Sequence, residues 1–410
     1  MDIRIIPTAL MGTAEAPASK SVAHRMLICA ALAEGKSIIR INKTSEDIDA
    51  TASCLASLGV KIEKNGELWE ITPPEEFPAE ATLDCGESGS TLRFMLPVVS
   101  ALGITATLTG HGRLPERPVA PLLEEMKNHG VECNDTFPIK VSGRLTGGKY
   151  TIAGNISSQF ITGLLLALAV CVGESEIDVI PPVESKPYID ITTSVLEKFG
   201  VKVNENKTVY TVTPCRPVGG DFSAEGDWSN AAFLLSLGVK VSGLDKSSVQ
   251  GDRKFLDVLS SLGAVIREEN GDFQADVSSL HGADVDASNI PDLVPVTCAL
   301  AATADGETRI YNASRLRLKE SDRIKTTVQM VNSLGGEAVE TEDGIIIKGK
   351  PTLSGGEVDG CGDHRIVMSS AVMALRCENP VIIKGVGAVN KSYPEFFNEY
   401  TLLGGKINVL

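Results

Sequence analysis

Closely spaced cysteines, an excess of positive charge and long apolar runs are all missing from this 410-residue chain. Its nine cysteines, at positions 29, 54, 85, 133, 171, 215, 298, 361 and 377, never lie closer than 16 residues. That spacing lacks the short pairs of structural zinc sites and dithiol redox motifs, so no metal site is expected and the thiols read as reduced. Acidic residues outnumber basic ones, 53 to 38, for a formal charge of −15, which works against attraction to nucleic acid or an acidic membrane surface. The longest apolar run, 160–173, falls short of the roughly 18 residues a membrane span requires. Residues 1–10 show no basic-then-apolar signal pattern. A cytoplasmic protein without nucleic-acid or membrane partners is the expectation. What is present is ordinary for a packed protein: 43% hydrophobic and 22% charged residues with unremarkable glycine and proline. The length suggests two or three domains.

A repeat organises the chain. An apolar-x-x-(ring or apolar)-Gly tag followed by a β-prone run occurs at Leu55–Gly59, Met126–Gly130, Leu196–Gly200, Leu259–Gly263, Val331–Gly335 and Tyr400–Gly404. Each reads as a helix ended by a left-handed glycine and then a strand. Asn65-Gly66, Asn270-Gly271 and Asp343-Gly344 signal hairpins. Upstream of each tag a second helical run begins near Lys20, Ser90, Ser157, Trp228, Asp292 and His364. The repeating unit is therefore strand, helix, strand, helix, hairpin, six times, with a natural split of three plus three.

Residues able to do chemistry gather at these helix starts. In ASKSVAHR, Ser19 is placed to cap a helix on which Lys20, Ser21 and Arg25 make an anion cradle. CGESGSTLRF opens another helix at Gly89, with Arg93 in its first turn, but lacks the lysine of a P-loop. Arg113 and Arg117 stand in a proline-bounded loop, and Ser157, Ser158 and Gln159 at a further helix start. Ser185 and Tyr188 follow in SKPYID. The second half supplies Asp292, then Lys319, Glu320 and Arg323, expected on one helical turn, then Asp363, Arg365 and Lys391. Arg117, Ser185, Glu320 and Lys391 are expected to open the second helix of their units and the others the first. Repeated helix N-termini from both halves would then converge on one cleft for a small polyanion, favouring two lobes over a solenoid.

In order along the whole chain, ASKSVAHR, GESGSTLRF, RLPERP, SSQF, SKPYID, EGDWSNAAF, IPDLVP, LKESDRI, GDHRI and KSYPEFF resemble the EPSP synthase family of 3-phosphoshikimate 1-carboxyvinyltransferases. The resemblance implies the two-lobed α/β enolpyruvyl transferase fold, an inside-out α/β barrel of six βαβαββ repeats, three per lobe. On that reading 1–18 with 226–410 form lobe I, carrying catalytic acid/base and phosphoenolpyruvate residues. Residues 19–225 form lobe II, carrying shikimate 3-phosphate residues. It implies no cofactor, no metal and a monomer. The reaction implied is transfer of the enolpyruvyl group of phosphoenolpyruvate to the 5-hydroxyl of shikimate 3-phosphate through a tetrahedral adduct.

By position the resemblance assigns Lys20, Ser21, Arg25, Ser157, Ser158, Gln159, Ser185, Tyr188, Asp292 and Lys319 to shikimate 3-phosphate. Lys20, Gly89, Arg117, Gln159, Arg323, Arg365 and Lys391 go to phosphoenolpyruvate. Asp292 is similar to the family's base at the 5-hydroxyl, and Glu320, with Lys20, to the proton donor and acceptor at the methylene carbon; Lys391 completes the catalytic set. The residue types suit the task, since arginine forks grip carboxylate and phosphate in two-point fashion and the addition needs both an acid and a base. Many family members carry Asn-Ala-Gly-Thr or Asn-Ser-Gly-Thr where this chain has Glu87-Ser88-Gly89-Ser90, which places a carboxylate near the anion site. Gly89 leaves that pocket uncrowded, so competition by glyphosate is implied. Two alternatives stand beside this reading. The sister transferase acting on a UDP-amino sugar carries a reactive cysteine in the loop that here reads Arg113 to Arg117. A non-catalytic sensor of anionic metabolites would not need the acid and base.

Overall fold

The structure, a computed structural model, describes all residues from Met1 to Leu410. The chain forms two compact units: a continuous one, Ala18–Ala224, and a discontinuous one, Met1–Pro17 with Glu225–Leu410. The continuous unit contains helices α1 (Lys20–Leu32), α2 (Glu46–Ser57), α3 (Gly89–Leu102), α4 (Ala120–Asn128), α5 (Ser158–Leu168) and α6 (Lys186–Lys198). The discontinuous unit contains α7 (Trp228–Ser236), α8 (Phe255–Ser261), α9 (Val294–Ala301), α10 (Arg323–Ser333), α11 (His364–Ala374) and α12 (Phe396–Leu402).

Six four-stranded sheets accompany them. Glu80–Asp84 runs parallel to Thr105–Thr109, with Ala81 opposite Ala106, and Ile139–Gly143 with Val131–Cys133 completes the sheet as an antiparallel hairpin. The crossover between the parallel strands is α3. Residues 149–212 and 284–348 repeat this plan in sequence order. The other three sheets are completed by strands distant in the chain, a departure from strictly consecutive repeats. Thr13–Glu15 pairs in parallel with Lys240–Ser242, and Asp221–Ser223 with Ser37–Arg40. Ile3–Ile6 lies antiparallel between Val381–Lys384 and Lys406–Val409. Each sheet stays within one unit.

The glycine tags end their helices as expected. Gly59, Gly130, Gly200, Gly263, Gly335 and Gly404 all have φ between +81° and +100°, a conformation that a Cβ would strain. All three hairpin signals fall between antiparallel strands, two of them in tight turns with Gly66 at φ +62° and Asn270-Gly271 at +54° and +86°. Asp343-Gly344 does not form such a turn. Its strands end at Glu340 and resume at Ile345, and Thr341 N–H donates to the Gly344 carbonyl. Gly344 is there for proximity, because a Cβ would lie 1.9 Å from the Ile310 carbonyl oxygen.

Two kinds of helix result from the sequence pattern. Every residue of α7, α9 and α11 is buried, as are nearly all of α1, α3 and α5. The second helices bury one stripe; α10 buries Arg323, Ile324, Thr326, Thr327, Met330 and Val331, at helical spacing. Each fully buried Leu, Ile or Phe contributes about 1.5–3 kcal/mol, and each unit has its own core. A helix enclosed on all sides can offer polar groups only at its ends. Lys20, Ser21, Ser90 and Gln159 are the residues in the first turns of α1, α3 and α5 that escape full burial, so the fold itself brings chemistry to the helix N-termini.

Candidate functional site

In the continuous unit, Lys20 is the first residue of α1 and its Nζ lies 2.7 Å from Asp47 Oδ2. Ser19 occupies the N-cap but makes no side-chain cap bond, so the expected capping role is not filled. Arg25 is buried and gives four of its five N–H groups to the protein: to Thr192 Oγ1, Thr162 Oγ1, and the Ser21 and Tyr188 carbonyls. It ties α1 to α5 and α6 and leaves one N–H on Nη1. Burial pulls its pKa down to about 9, since its partners are neutral acceptors and none is a carboxylate. Ser185, the N-cap of α6, is buried in a left-handed conformation.

Around α3 the donors converge. A Cβ on Gly89 would stand 2.7 Å from Arg117 Nη1 and 2.9 Å from Arg93 Nη1, so two guanidinium groups lie over the helix start. Gln159 Oε1 accepts from Arg93 Nη1 at 2.6 Å, and its Nε2 donates to Ser90 Oγ at 2.9 Å. Ser157 caps α5 by accepting from Gln159 N–H, with Ser158 buried behind it. Arg93 also donates to the Pro118 carbonyl at 2.7 and 3.2 Å, anchoring the segment that carries Arg117. Free helix N–H groups beneath paired guanidiniums make an anion cradle. Arg117 does not open α4. Pro118 disfavours helical backbone in the residue before it, Arg117 is extended at ψ 141°, and α4 starts at Ala120. Glu87, the carboxylate expected near the anion, accepts from Arg113 N–H and fills the space where Gly112 has no side chain.

The discontinuous unit gathers charge of both signs. Asp292 lies in a 3-10 turn, Pro291–Leu293, just ahead of α9 rather than on it. Its Oδ1 accepts from Arg323 Nη1 at 2.7 Å and Lys319 Nζ at 3.4 Å, its Oδ2 from Arg365 Nη2 at 3.3 Å. Arg323, 1% exposed, also meets Glu320 Oε2 at 2.6 Å and Asp363 Oδ2 at 2.8 Å. Burial opposes its charge, but Asp363, Glu320 and Asp292 outweigh that and raise its pKa.

Lys319, Glu320 and Arg323 do not share a helical turn. Asp322 caps α10 by accepting from Lys325 N–H, and Lys319 is extended, so α10 begins only at Arg323. The Glu320–Arg323 contact forms across the cap. Asp363 caps α11 by accepting from Arg365 N–H. Lys391 ends the 3-10 segment Val386–Lys391, five residues ahead of α12, and its Nζ donates to the Gly362 carbonyl at 2.8 Å.

Two contributors leave little trace in the sequence. Arg93 falls in the first turn of α3 as expected, yet nothing in its spacing reveals that it orients Gln159. Asp252, buried in the 3-10 turn Gly251–Lys254, resembles any turn aspartate in sequence. Burial first, then the charge of Asp292, pushes its carboxyl up to about 7, with Arg365 opposing.

Residues 5–400 match the sequence model of EPSP synthase (3-phosphoshikimate 1-carboxyvinyltransferase). The chain is 40% identical to the 3-phosphoshikimate 1-carboxyvinyltransferase of Clostridium kluyveri over 424 aligned positions, covering 99% of this chain and 98% of that protein. Identity to the Clostridium novyi protein of the same name is also 40%, with the same coverage. Among solved structures, the EPSP synthase of Acinetobacter baumannii matches over 100% of both chains with a TM-score of 0.81 at 26% identity. The motif order, the six-sheet architecture and these matches agree: the chain belongs to the EPSP synthase, or 3-phosphoshikimate 1-carboxyvinyltransferase, family.

Proposed function

We propose that this protein transfers the enolpyruvyl group of phosphoenolpyruvate to the 5-hydroxyl of shikimate 3-phosphate, releasing phosphate, in the shikimate route to chorismate and aromatic amino acids. The observation that carries the assignment of roles is the carboxylate pair on Arg323: Asp292 at 2.7 Å and Glu320 at 2.6 Å. Asp292 takes the proton of the 5-hydroxyl as that oxygen bonds to the central carbon of phosphoenolpyruvate, while Glu320, with Lys20, protonates the methylene carbon. Elimination reverses the second transfer: the new methyl gives up a proton and the carbon–phosphate oxygen bond breaks. General acid and base help of this kind is worth roughly 10² to 10⁴ in rate.

In the free protein the Asp292 carboxylate accepts from Lys319, Arg323 and Arg365. Substrate anions that recruit Lys319 and Arg365 would free its oxygens to accept from the arriving hydroxyl. Lys20, Ser21, Arg25, Ser157, Ser158, Gln159, Ser185, Tyr188, Asp292 and Lys319 are assigned to shikimate 3-phosphate. Lys20, Gly89, Arg117, Gln159, Arg323, Arg365 and Lys391 are assigned to phosphoenolpyruvate. The reading extends to a cytoplasmic monomer; nine free thiols suit a reducing compartment, and no helix is long and apolar enough to cross a membrane. Light scattering checks the mass.

The deciding experiment is phosphate release with both substrates, each omitted in turn, and with EDTA present. Release that needs both and ignores EDTA is expected. Binding of either anion by calorimetry without any release would replace the transferase with a metabolite sensor.

A further inference from the structure

A file of polar side chains crosses the core of the continuous unit, where apolar ones would otherwise pack. His24 on α1, Thr51 on α2, and Thr91 and Ser88 at the start of α3 are each at most 1% exposed. His24 Nδ1 lies 2.6 Å from Thr51 Oγ1, which lies 2.7 Å from Thr91 Oγ1, which donates to Ser88 Oγ at 2.8 Å. Thr91 N–H also donates to Ser88 Oγ, at 3.2 Å. His24 Nε2 is buried without a partner.

Hydrogen counting gives this file a direction. Each hydroxyl has one hydrogen to donate. Thr91 gives its hydrogen to Ser88, so Thr51 gives its own to Thr91. The hydrogen between His24 and Thr51 must then be on Nδ1, leaving Nε2 as a bare lone pair. That is the less costly nitrogen to bury, because an unpaired N–H donor would be worse satisfied than an empty acceptor. Burial, then Lys20 and Arg25, hold the His24 pKa well below its ordinary value, so the ring stays neutral. At the far end Ser88 already accepts twice, and its own hydrogen is the one left over. Ser88 directly precedes Gly89, over which the Arg117 guanidinium lies. The Asp47 carbonyl, 3.5 Å from Thr91 Oγ1, is the weaker acceptor for that one hydrogen, so Ser88 at 2.8 Å takes it.

We propose that His24 is a positioning residue for the anion cradle: through Thr51 and Thr91 it orients Ser88 so that the Ser88 hydroxyl donates to the phosphoenolpyruvate anion held at the start of α3. This rests on the function proposed above. Aligned hydrogen bonds polarise one another in a dry interior, so the chain also strengthens its terminal donor.

The test uses the full chain. His24→Leu is expected to raise KM for phosphoenolpyruvate about tenfold, the worth of one good hydrogen bond, while kcat and KM for shikimate 3-phosphate stay within about twofold. His24→Asn, whose amide N–H occupies the place of Nδ1–H, is expected to restore wild-type KM. Thr51→Val should match His24→Leu, and the double variant should be no worse than either. Should His24→Leu fail to fold, Thr51→Val set against His24→Asn makes the same comparison. Nitrogen-15 NMR of the imidazole in the unliganded protein is expected to show the Nδ1–H tautomer. An Nε2–H tautomer, or a KM that rises equally for both substrates alongside a lower melting temperature, would overturn the proposal. Absence of turnover in the wild type would instead sink the transferase reading, and the tautomer would still report on the chain.

Discussion

The two units share an architecture and arm it differently. In the continuous unit the helix starts carry Lys20, Arg25, Arg93 and Arg117; Lys20 meets Asp47, while Arg25 donates to hydroxyls and carbonyls and Arg93 to an amide oxygen and a carbonyl. In the discontinuous unit Asp292, Glu320 and Asp363 crowd a single arginine. Helix N-termini favour anions in both, so affinity alone would not call for carboxylates in either. Buried ion pairs are also weak sources of stability. Carboxylates there compete with an incoming anion for the same guanidinium groups; Asp363 is held by its capping of α11, and for Asp292 and Glu320 the competition suits the proton-transfer roles proposed above. Each unit also has a cavity where its central helices end: about 730 Å³ beside Ser236, Thr303 and Arg376, and about 410 Å³ beside Leu32, Leu102 and Ala169. A gap that recurs at the C-terminal ends of the buried helices with such different linings separates architecture from chemistry within the same molecule.

Removing one carboxylate probes the comparison hardest. Asp292→Asn is expected to lower kcat by roughly 10² to 10⁴ while calorimetric affinity for shikimate 3-phosphate changes only a few-fold; turnover near wild type would place the base elsewhere. The next largest effect contrasts two buried arginines. Arg323→Met leaves three carboxylates facing one another and should cost about 3–5 kcal/mol in denaturant unfolding. Arg25→Met leaves only neutral acceptors and should cost about 1–3 kcal/mol. Equal losses would mean that the two units do not differ in how they hold charge.

Gly89→Ala tests the basic side. Its methyl would enter the space of Arg117 Nη1, so one guanidinium must shift, and KM for phosphoenolpyruvate should rise about tenfold with KM for shikimate 3-phosphate unchanged. That position also shows what the sequence could reveal. Gly tags and apolar period marked out the helices, because a left-handed glycine and an enclosed helix leave direct marks on residue type. The role of Arg93 as the support of Gln159, 66 residues away, left none. Local rules also misjudged helix starts wherever another group claimed the cap: Asp322 rather than Glu320, and Val119 after the Pro118 block rather than Arg117. The resemblance put 1–18 with the C-terminal half and 221–223 in the other lobe, but the pairing of 13–15 with 240–242 and of 221–223 with 37–40 was hidden, because pairing between distant segments has no local signal.

The subtlest difference lies in how each unit's buried titratable group responds to pH. Asp252 in the discontinuous unit holds its proton up to about 7, against 3.8 for the ordinary carboxyl. Between those values the folded chain binds more protons than the unfolded one, so stability falls as pH rises through that window and is level above it. His24 in the continuous unit does the reverse. Its pKa lies well below 6.5, so below pH 6.5 the unfolded chain takes a proton that the folded one refuses, and stability falls as pH falls. Asp252→Asn should therefore gain on wild type as pH rises from 4 to 7, and His24→Asn should gain as pH drops below 6.5, each by about 1 kcal/mol per pH unit at the steepest. Urea midpoints at pH 5, 6, 7 and 8 give both slopes. Opposite signs would tie each response to the burial of its own group, whereas slopes of one sign would mean that a charge common to both variants' backgrounds, and not these two side chains, sets the pH dependence.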